Sequence, residues 1–170
     1  MLILLRGKPG TGKSTLADAI GRRLRAAVID KDDVKDVLDA KYRDEHVGGL
    51  AYEAMLRVAE RCLRQGIPVV CDSPLSFPDL HARAIEIAAR HGVPVVAVRA
   101  VCSDREEWRR RIEARVDAGL AEHRISSFDD PRLFADERYA IDDELVVDTT
   151  ASVDECVAAV LERVETSQPA

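Results

Sequence analysis

Eight residues near the start of the sequence, Gly7-Lys8-Pro9-Gly10-Thr11-Gly12-Lys13-Ser14, satisfy the pattern G-x-x-x-x-G-K-[ST]. Each residue type in that pattern answers a requirement of holding a phosphate chain. Glycines at 7, 10 and 12 let the backbone take unusual dihedrals and approach a ligand without Cβ clashes, so that successive N–H groups point into one concavity. Lys13 would carry a mobile charge to the β and γ phosphates, and the Ser14 hydroxyl can ligate Mg²⁺. Gly7 through Thr15 are therefore the expected phosphate ligands. The context fits as well: an apolar strand pattern at residues 2–6 feeds the loop, and a helical pattern (Leu16, Ala17, Ile20, Leu24) leaves it, adding the positive end of its dipole. An ordinary Gly-rich turn would not place a Lys beside a hydroxyl at this point. A dinucleotide-binding turn is the nearest competitor, but Gly10-Thr-Gly12-Lys-Ser-Thr15 lacks its third small residue.

Three further groups could act around that loop. Val28-Ile-Asp30-Lys-Asp32-Asp33-Val-Lys35 puts carboxylates just after a second apolar run, and Asp72 ends a third. In an open α/β sheet, ligands bind outside the carboxyl ends of the strands, so these acids should face the loop. Asp72 could hold Mg²⁺ with Ser14, or serve as a strand-terminal turn residue before Ser73-Pro74. Asp32 and Asp33 could equally be acids at a helix N-terminus, placed there by the dipole. The third group is the basic run Arg105, Arg109, Arg110, Arg111 and Arg115, with Arg124 beyond it. Arg111 and Arg115 share a helix face, and Trp108, Ile112 and Val116 share the adjoining apolar one. Guanidinium groups near a phosphate loop can neutralise charge as it develops, although Glu106, Glu107 and Glu113 also offer simple ion pairs.

The elements that must position these groups are legible as alternation. Leu2–Leu5, Ala26–Ile29, Val69–Cys71, Val93–Val98 and Leu145–Val147 read as five strands, nearly continuous in hydrophobicity, as strands covered on both faces are. Residues 78–91 place Leu80, Ala84, Ile87 and Ala88 on one helical side, with Gly92 as a stop. Ser103-Asp-Arg-Glu106 and Ser152-Val-Asp-Glu155 both fit a capping box. The segment with Val153, Cys156, Val157, Val160, Leu161 and Val164 carries an apolar helical stripe that should dock on the sheet. Strands alternating with helices imply crossovers and a doubly wound parallel sheet. Residues 119–143 show no clear strand and read as a mobile excursion, and residues 166–170 as a frayed tail.

Composition excludes other classes. In 170 residues, 25 Lys and Arg face 31 Asp and Glu, a formal charge of −6. That acidity argues against a nucleic-acid footprint, and scarce aromatics argue against stacking platforms for single strands. No apolar run reaches the ~18 residues of a membrane span, and Arg6 breaks the opening run too early for a secretory signal, so a cytoplasmic protein is expected. Cys62, Cys71, Cys102 and Cys156 lie among apolar neighbours and form no CxxC pair; neither zinc nor disulfides are implied. His46, His81, His91 and His123 show no ligand spacing. The sequence contains no Asn, so the Asn-Lys-x-Asp guanine motif of Ras-like GTPases is absent. Oligomeric motor ATPases generally pair a strand-end Asp with a water-activating Glu; here Ser73 follows Asp72.

The set GKPGTGKST, VIDKDD, VVCDSP, RRRIEAR and VVDTT, in that order, resembles the small P-loop kinases. It is most similar to the predicted-kinase ATP-binding proteins grouped with zeta-toxin-like and chloramphenicol-phosphotransferase-like enzymes. The resemblance runs over residues 1–165. It implies one α/β domain: a three-layer sandwich with a five-stranded parallel sheet, helices on both faces, and an Arg-bearing helical lid over about 105–143. It also implies ATP and Mg²⁺ as cofactors and a small-molecule hydroxyl as acceptor. The family's Asp-x-x-Arg base motif registers on Asp32, with Lys35 in the Arg place and Asp30 in reserve. Its Arg-x-x-x-Arg lid signature registers on Arg111 and Arg115.

Overall fold

Leu2–Arg6 (β1) is apolar at its first four positions and buried at all five, because both of its faces are covered. Its odd and even residues serve different layers: Leu2 and Leu4 point into one core, Ile3 and Leu5 into the other. The computed structural model describes residues 1–42, 46–74, 78–118, 125, 127–134 and 141–167. Within it, β1 pairs in parallel with Val69–Asp72 (β3) on one side and Val95–Val101 (β4) on the other. Ala27–Asp30 (β2) lies beyond β3, and Leu145–Asp148 (β5) beyond β4, giving the order β2-β3-β1-β4-β5 with every pairing parallel.

The helices are Lys13–Leu24 (α1), Lys31–Asp39 (α2), Val47–Arg64 (α3), Pro78–Arg90 (α4), Arg105–Asp117 (α5) and Val153–Thr166 (α6). On one face α3 and α4 bury Met55, Leu56, Ala59, Leu80 and Ala84 against β1 and β3. On the other, α1 and α6 bury Leu16, Ile20, Val157 and Val160 against β1, β4 and β5. The result is the expected three-layer sandwich, and every strand delivers its carboxyl end to the same edge. Arg6, Asp30, Asp72 and Asp148 all sit at that edge.

The structure departs from the sequence reading in three places. Helix α3 is 18 residues long and has no counterpart in that reading; Gly48-Gly49 in its first turn speaks against helix, yet Ala51, Met55, Leu56, Ala59 and Leu63 trace an apolar stripe. The cap of α5 is Asp104, not Ser103: its side chain accepts from the amides of Glu106 (2.9 Å) and Glu107 (3.1 Å). The Ser103 amide instead donates to Asp148 Oδ1 (3.2 Å). The described residues within 119–143 are also not a free excursion. Ile125, Phe128 and Leu133 are buried against Ile112 and Trp108 of α5, forming a small third core. The capping box at Ser152 and Glu155 is formed.

Candidate nucleotide and acceptor site

The loop between β1 and α1 has the backbone its glycines were expected to supply. Gly10 and Gly12 have φ of 76° and 82°, and Gly7 has φ of 150°; at Gly7 a Cβ would run into the Ala100 carbonyl of β4. The Thr11 hydroxyl donates to the Lys8 carbonyl (2.8 Å), closing the turn, and Leu16 N–H donates to Gly12 O (3.0 Å) as α1 begins. The first turn of α1 carries no acidic residue to compete with an anion. Lys13 and Ser14 line the cleft on its inner side.

Two lobes of that cleft meet at the loop. The first, a cavity of about 320 Å³, runs from Lys13 and Ser14 along the acidic start of α2 to Asp72, with Ile112 and Arg115 opposite. The second, about 440 Å³, lies across Gly10 and Gly12, between Arg110, Arg111 and Arg115 of α5 and the β5–α6 connection. Arg115 borders both. Phosphates on the loop would thus have one lobe on each side, one for the rest of a nucleotide and one for an acceptor.

The strand-end acids face the first lobe. Asp30 and Asp72 are register partners across the β2–β3 ladder, so their side chains leave the same side of the sheet. Asp72 is 2% exposed, and neither of its carboxylate oxygens has a formed hydrogen bond. Burial pushes its pKa up; the Lys13 charge and the neighbouring Ser14 hydroxyl act the other way, and Asp32 adds repulsion. Burial, and then the charge on Asp72, raise Asp30 to about 6. Asp30 also caps α2, accepting from Asp32 N–H (2.7 Å). Asp32 is exposed to the cleft and ion-paired with Lys31, whose buried ammonium lies 5.5 Å from the Tyr52 ring centroid. A buried carboxylate with unused oxygens, beside a loop hydroxyl and a lysine, fits a Mg²⁺ ion brought in on nucleotide phosphates. Among the described residues no three His, Cys, Asp or Glu gather closely enough to hold a metal by themselves.

The two arginines differ in setting. Arg111 is held by three bonds: Nε to Glu107 Oε1 (2.7 Å), Nη1 to Thr149 Oγ1 (2.8 Å) and Nη2 to Thr149 O (2.9 Å). That fixes it in the second lobe, away from α2. Hydrogen bonds from Arg110 and Arg111 hold Glu107 down at about 2. Arg115 is exposed and stands over the junction of the lobes. Arg124 and the segment 75–77 beside Pro74 lie outside the described residues, as does His123.

Two residues tie the loop to its surroundings without having been singled out from sequence. Trp108 Nε1–H donates to Pro9 O (2.8 Å), and the Thr149 hydroxyl lies 2.8 Å from Thr11 O and 3.0 Å from Val101 O. Trp108 had been read only as part of an apolar face; its indole N–H was the available signal, since a half-buried Trp needs an acceptor. Thr149 stands in the VVDTT run, where nothing distinguishes it from a turn residue.

With this geometry in place, comparison with known proteins assigns the lineage. A sequence model described as AAA domain matches residues 2–130. The chain belongs to the AAA domain family. Over 101 aligned residues it is 34% identical to uncharacterized proteins of Mycobacterium tuberculosis and Mycobacterium bovis. The match covers 52% of this chain and 20% of those relatives, so the chain spans about a fifth of the length of the curated relatives it matches. Among solved structures, the fold resembles that of a candidate kinase from Chloroflexus aurantiacus (TM-score 0.77, 23% identity, covering 98% of this chain and 97% of that one). It also resembles Mycobacterium tuberculosis APS kinase in complex with AMPPNP and APS (0.68, 20%, 96% of each chain) and a gluconokinase from Sinorhizobium meliloti (0.59, 17%, 96% and 93%). This AAA domain therefore has a kinase-like P-loop fold. In it the position after the strand-end Asp72 is Ser73, whose buried hydroxyl has no partner among the described residues. Among those residues, no helix is long and apolar enough to cross a membrane.

Proposed function

We propose that this domain is an ATP-dependent phosphotransferase that moves the γ-phosphoryl group to a hydroxyl of a small molecule. The observation that carries the reading is the pairing of the two lobes across one phosphate loop, with unsatisfied Asp72 on the acceptor side. A hydrolase needs only a water at the γ-phosphate; a second lobe walled by α2 gives room for an acceptor. The kinases whose structures share the fold support the same class.

The loop amides of residues 7–15 and Lys13 hold the triphosphate, and the α1 dipole adds to their field. Ser14 and Asp72 would hold Mg²⁺, which screens the β and γ oxygens when bound. Asp32 accepts the proton of the acceptor hydroxyl: its carboxylate is exposed to the cleft, whereas that of Asp30 is engaged in capping α2. Arg115 is the guanidinium placed to meet charge on the moving phosphoryl group. Arg111, anchored on Thr149, borders the nucleoside side. Helix α5 acts as the lid together with the described residues beyond it, Ile125, Phe128 and Leu133, which pack on it; the rest of the span to 143 lies largely outside the described residues.

The test is ADP release and phosphoryl transfer from labelled ATP across a panel of hydroxyl compounds. Asp32→Asn should keep nucleotide affinity within about twofold and lower transfer by about 10²-fold or more. An unchanged transfer rate in that variant removes Asp32 as the base. Labelled ATP yielding only inorganic phosphate with every compound would make the domain a hydrolase instead.

A further inference from the structure

The Thr149 hydroxyl has one proton and stands among three groups. Arg111 Nη1–H donates to its oxygen (2.8 Å), and two carbonyl oxygens lie within reach of its own proton, Thr11 O (2.8 Å) and Val101 O (3.0 Å). Val101 O already accepts from the Thr149 amide (2.8 Å). Thr11 is 4% exposed, and its carbonyl has no other donor among the described residues. The proton therefore belongs to Thr11 O, because a buried carbonyl left without a donor carries a desolvation cost that Val101 O does not face.

That bond sets a peptide plane. In a trans peptide the carbonyl oxygen and the following amide hydrogen point to opposite sides, and the described residues hold no cis bond. With Thr11 O drawn toward Thr149, the Gly12 N–H is turned to the other side of the loop, and it donates to no group among the described residues. The same arrangement recurs at Pro9. Trp108 Nε1–H donates to its carbonyl (2.8 Å), and the Gly10 N–H that faces away has no acceptor among those residues either. Two side chains from outside the loop thus hold the carbonyls of residues 9 and 11 and leave the amides that follow them for an anion. Gly12 also permits the approach: a Cβ there would stand 3.2 Å from Thr149 Oγ1, on a residue whose φ of 82° already favours glycine.

We propose that Thr149 is a positioning residue for the phosphate loop, holding the Thr11 carbonyl so that the Gly12 amide stays aimed at the phosphates. The inference rests on nucleotide binding by the loop, as proposed above. Arg111 occupies the other side of the same hydroxyl and also donates through Nη2 to Thr149 O (2.9 Å), so α5 keeps the hydroxyl proton turned toward the loop. Thr149 lines the second lobe as well, so an effect on the nucleoside has to be told apart from one on the loop.

The experiment is titration calorimetry with two magnesium-loaded probes: tripolyphosphate, which has the phosphates and no nucleoside, and ATP. In Thr149→Val, which keeps the shape and loses the hydroxyl, both should bind about fivefold or more weakly, the worth of one hydrogen bond. In Thr149→Ser, which keeps the hydroxyl, both should stay within about twofold of wild type. Tripolyphosphate bound equally well by wild type and Thr149→Val overturns the proposal even where ATP binding falls, since that loss would come from the nucleoside lobe. Thr149→Ser as weak as Thr149→Val overturns it too, because the methyl group and not the hydroxyl would then matter. Should Thr149→Val fail to fold, Thr149→Ala carries the same comparison. Lys13→Ala separates the two levels: heat lost with Lys13 and kept without the Thr149 hydroxyl leaves the nucleotide reading standing and removes only this role. No heat from tripolyphosphate in wild type at about 10 mM overturns it as well, and no heat from ATP removes the nucleotide reading with it.

Discussion

Asp30 and Asp72 meet side by side at the edge of a parallel sheet, where burial disfavours ionisation of both and the Asp72 charge adds to the effect at Asp30. Asp30, raised to about 6, holds a proton in the folded state that the unfolded chain has already released above pH 4. Its contribution to stability is therefore largest below pH 4 and is lost as pH rises through about 6. Asp30→Asn keeps an oxygen to cap α2 and removes the charge. After discounting for partial exposure, that should stabilise the ligand-free protein by about 1 kcal/mol at pH 7, or roughly 2–4 °C in Tm, with no gain at pH 4. Thermal melts at the two pH values check this; a variant less stable than wild type at pH 7 would contradict it. The same repulsion gives a bound cation its hold, so Mg·ATP affinity should rise between pH 5 and 7. At this scale the phosphate loop was fully legible, because each of its residue types follows from one chemical demand. The role of Asp32 rested on register with a family motif, and the different settings of Arg111 and Arg115 were not legible at all. Two arginines four apart look identical in sequence until Thr149, distant in the chain, takes one of them.

Helix α5 is the element that couples the loop to the segment beyond it. Trp108 bonds to Pro9 O on one side and stacks edge-on with Phe128 (5.3 Å between centroids) and Phe134 (5.7 Å) on the other. Arg105 and Arg109 lie over the same rings, at 4.7 to 5.3 Å. Since Trp108 is the sole tryptophan, its fluorescence reports on the loop directly. Nucleotide binding should shift that emission. Trp108→Phe, which keeps the ring packing and loses the N–H donor, should weaken nucleotide binding about fivefold, corresponding to about 1 kcal/mol for one hydrogen bond. Affinity unchanged in that variant would mean that the tether has no part in shaping the loop. Strands and most helices were readable from hydrophobic period, since a strand buried on both faces has few residue choices. The aromatic cluster was not, because Phe128 and Phe134 sit in a polar, charge-rich stretch whose period is neither 2 nor 3.6, and only tertiary docking on α5 buries Phe128 and sets Phe134 against Trp108 at the rim.

Across the whole molecule, the sheet edge that carries the site is braced from behind by a buried ion pair. Arg6, the last residue of β1, forms a paired contact with Glu144 ahead of β5 (Nη2 to Oε2, 2.9 Å), and Arg99 of β4 approaches the same carboxylate (3.3 Å). Arg6 and Glu144 side chains are each 6% exposed, so neutralising Glu144 takes a close counter-charge from a buried guanidinium. Glu144→Gln should cost about 3 kcal/mol, read as a lower urea midpoint at unchanged slope. A midpoint within error of wild type would show the bracing to be incidental. Fold class followed from strand and helix alternation because parallel strands require crossovers. What fills the cavity beside α2 did not follow, since its walls are built by α2 and by segments separated in sequence.

All of these expectations depend on the loop of residues 7–15 gripping a nucleotide triphosphate through its amides and Lys13. Titration calorimetry of Mg·ATP into wild type and Lys13→Ala tests that most directly. The account predicts saturable heat at a single site in wild type, and loss of at least about tenfold in affinity in the variant. No heat in wild type, or equal affinity in both proteins, would contradict it.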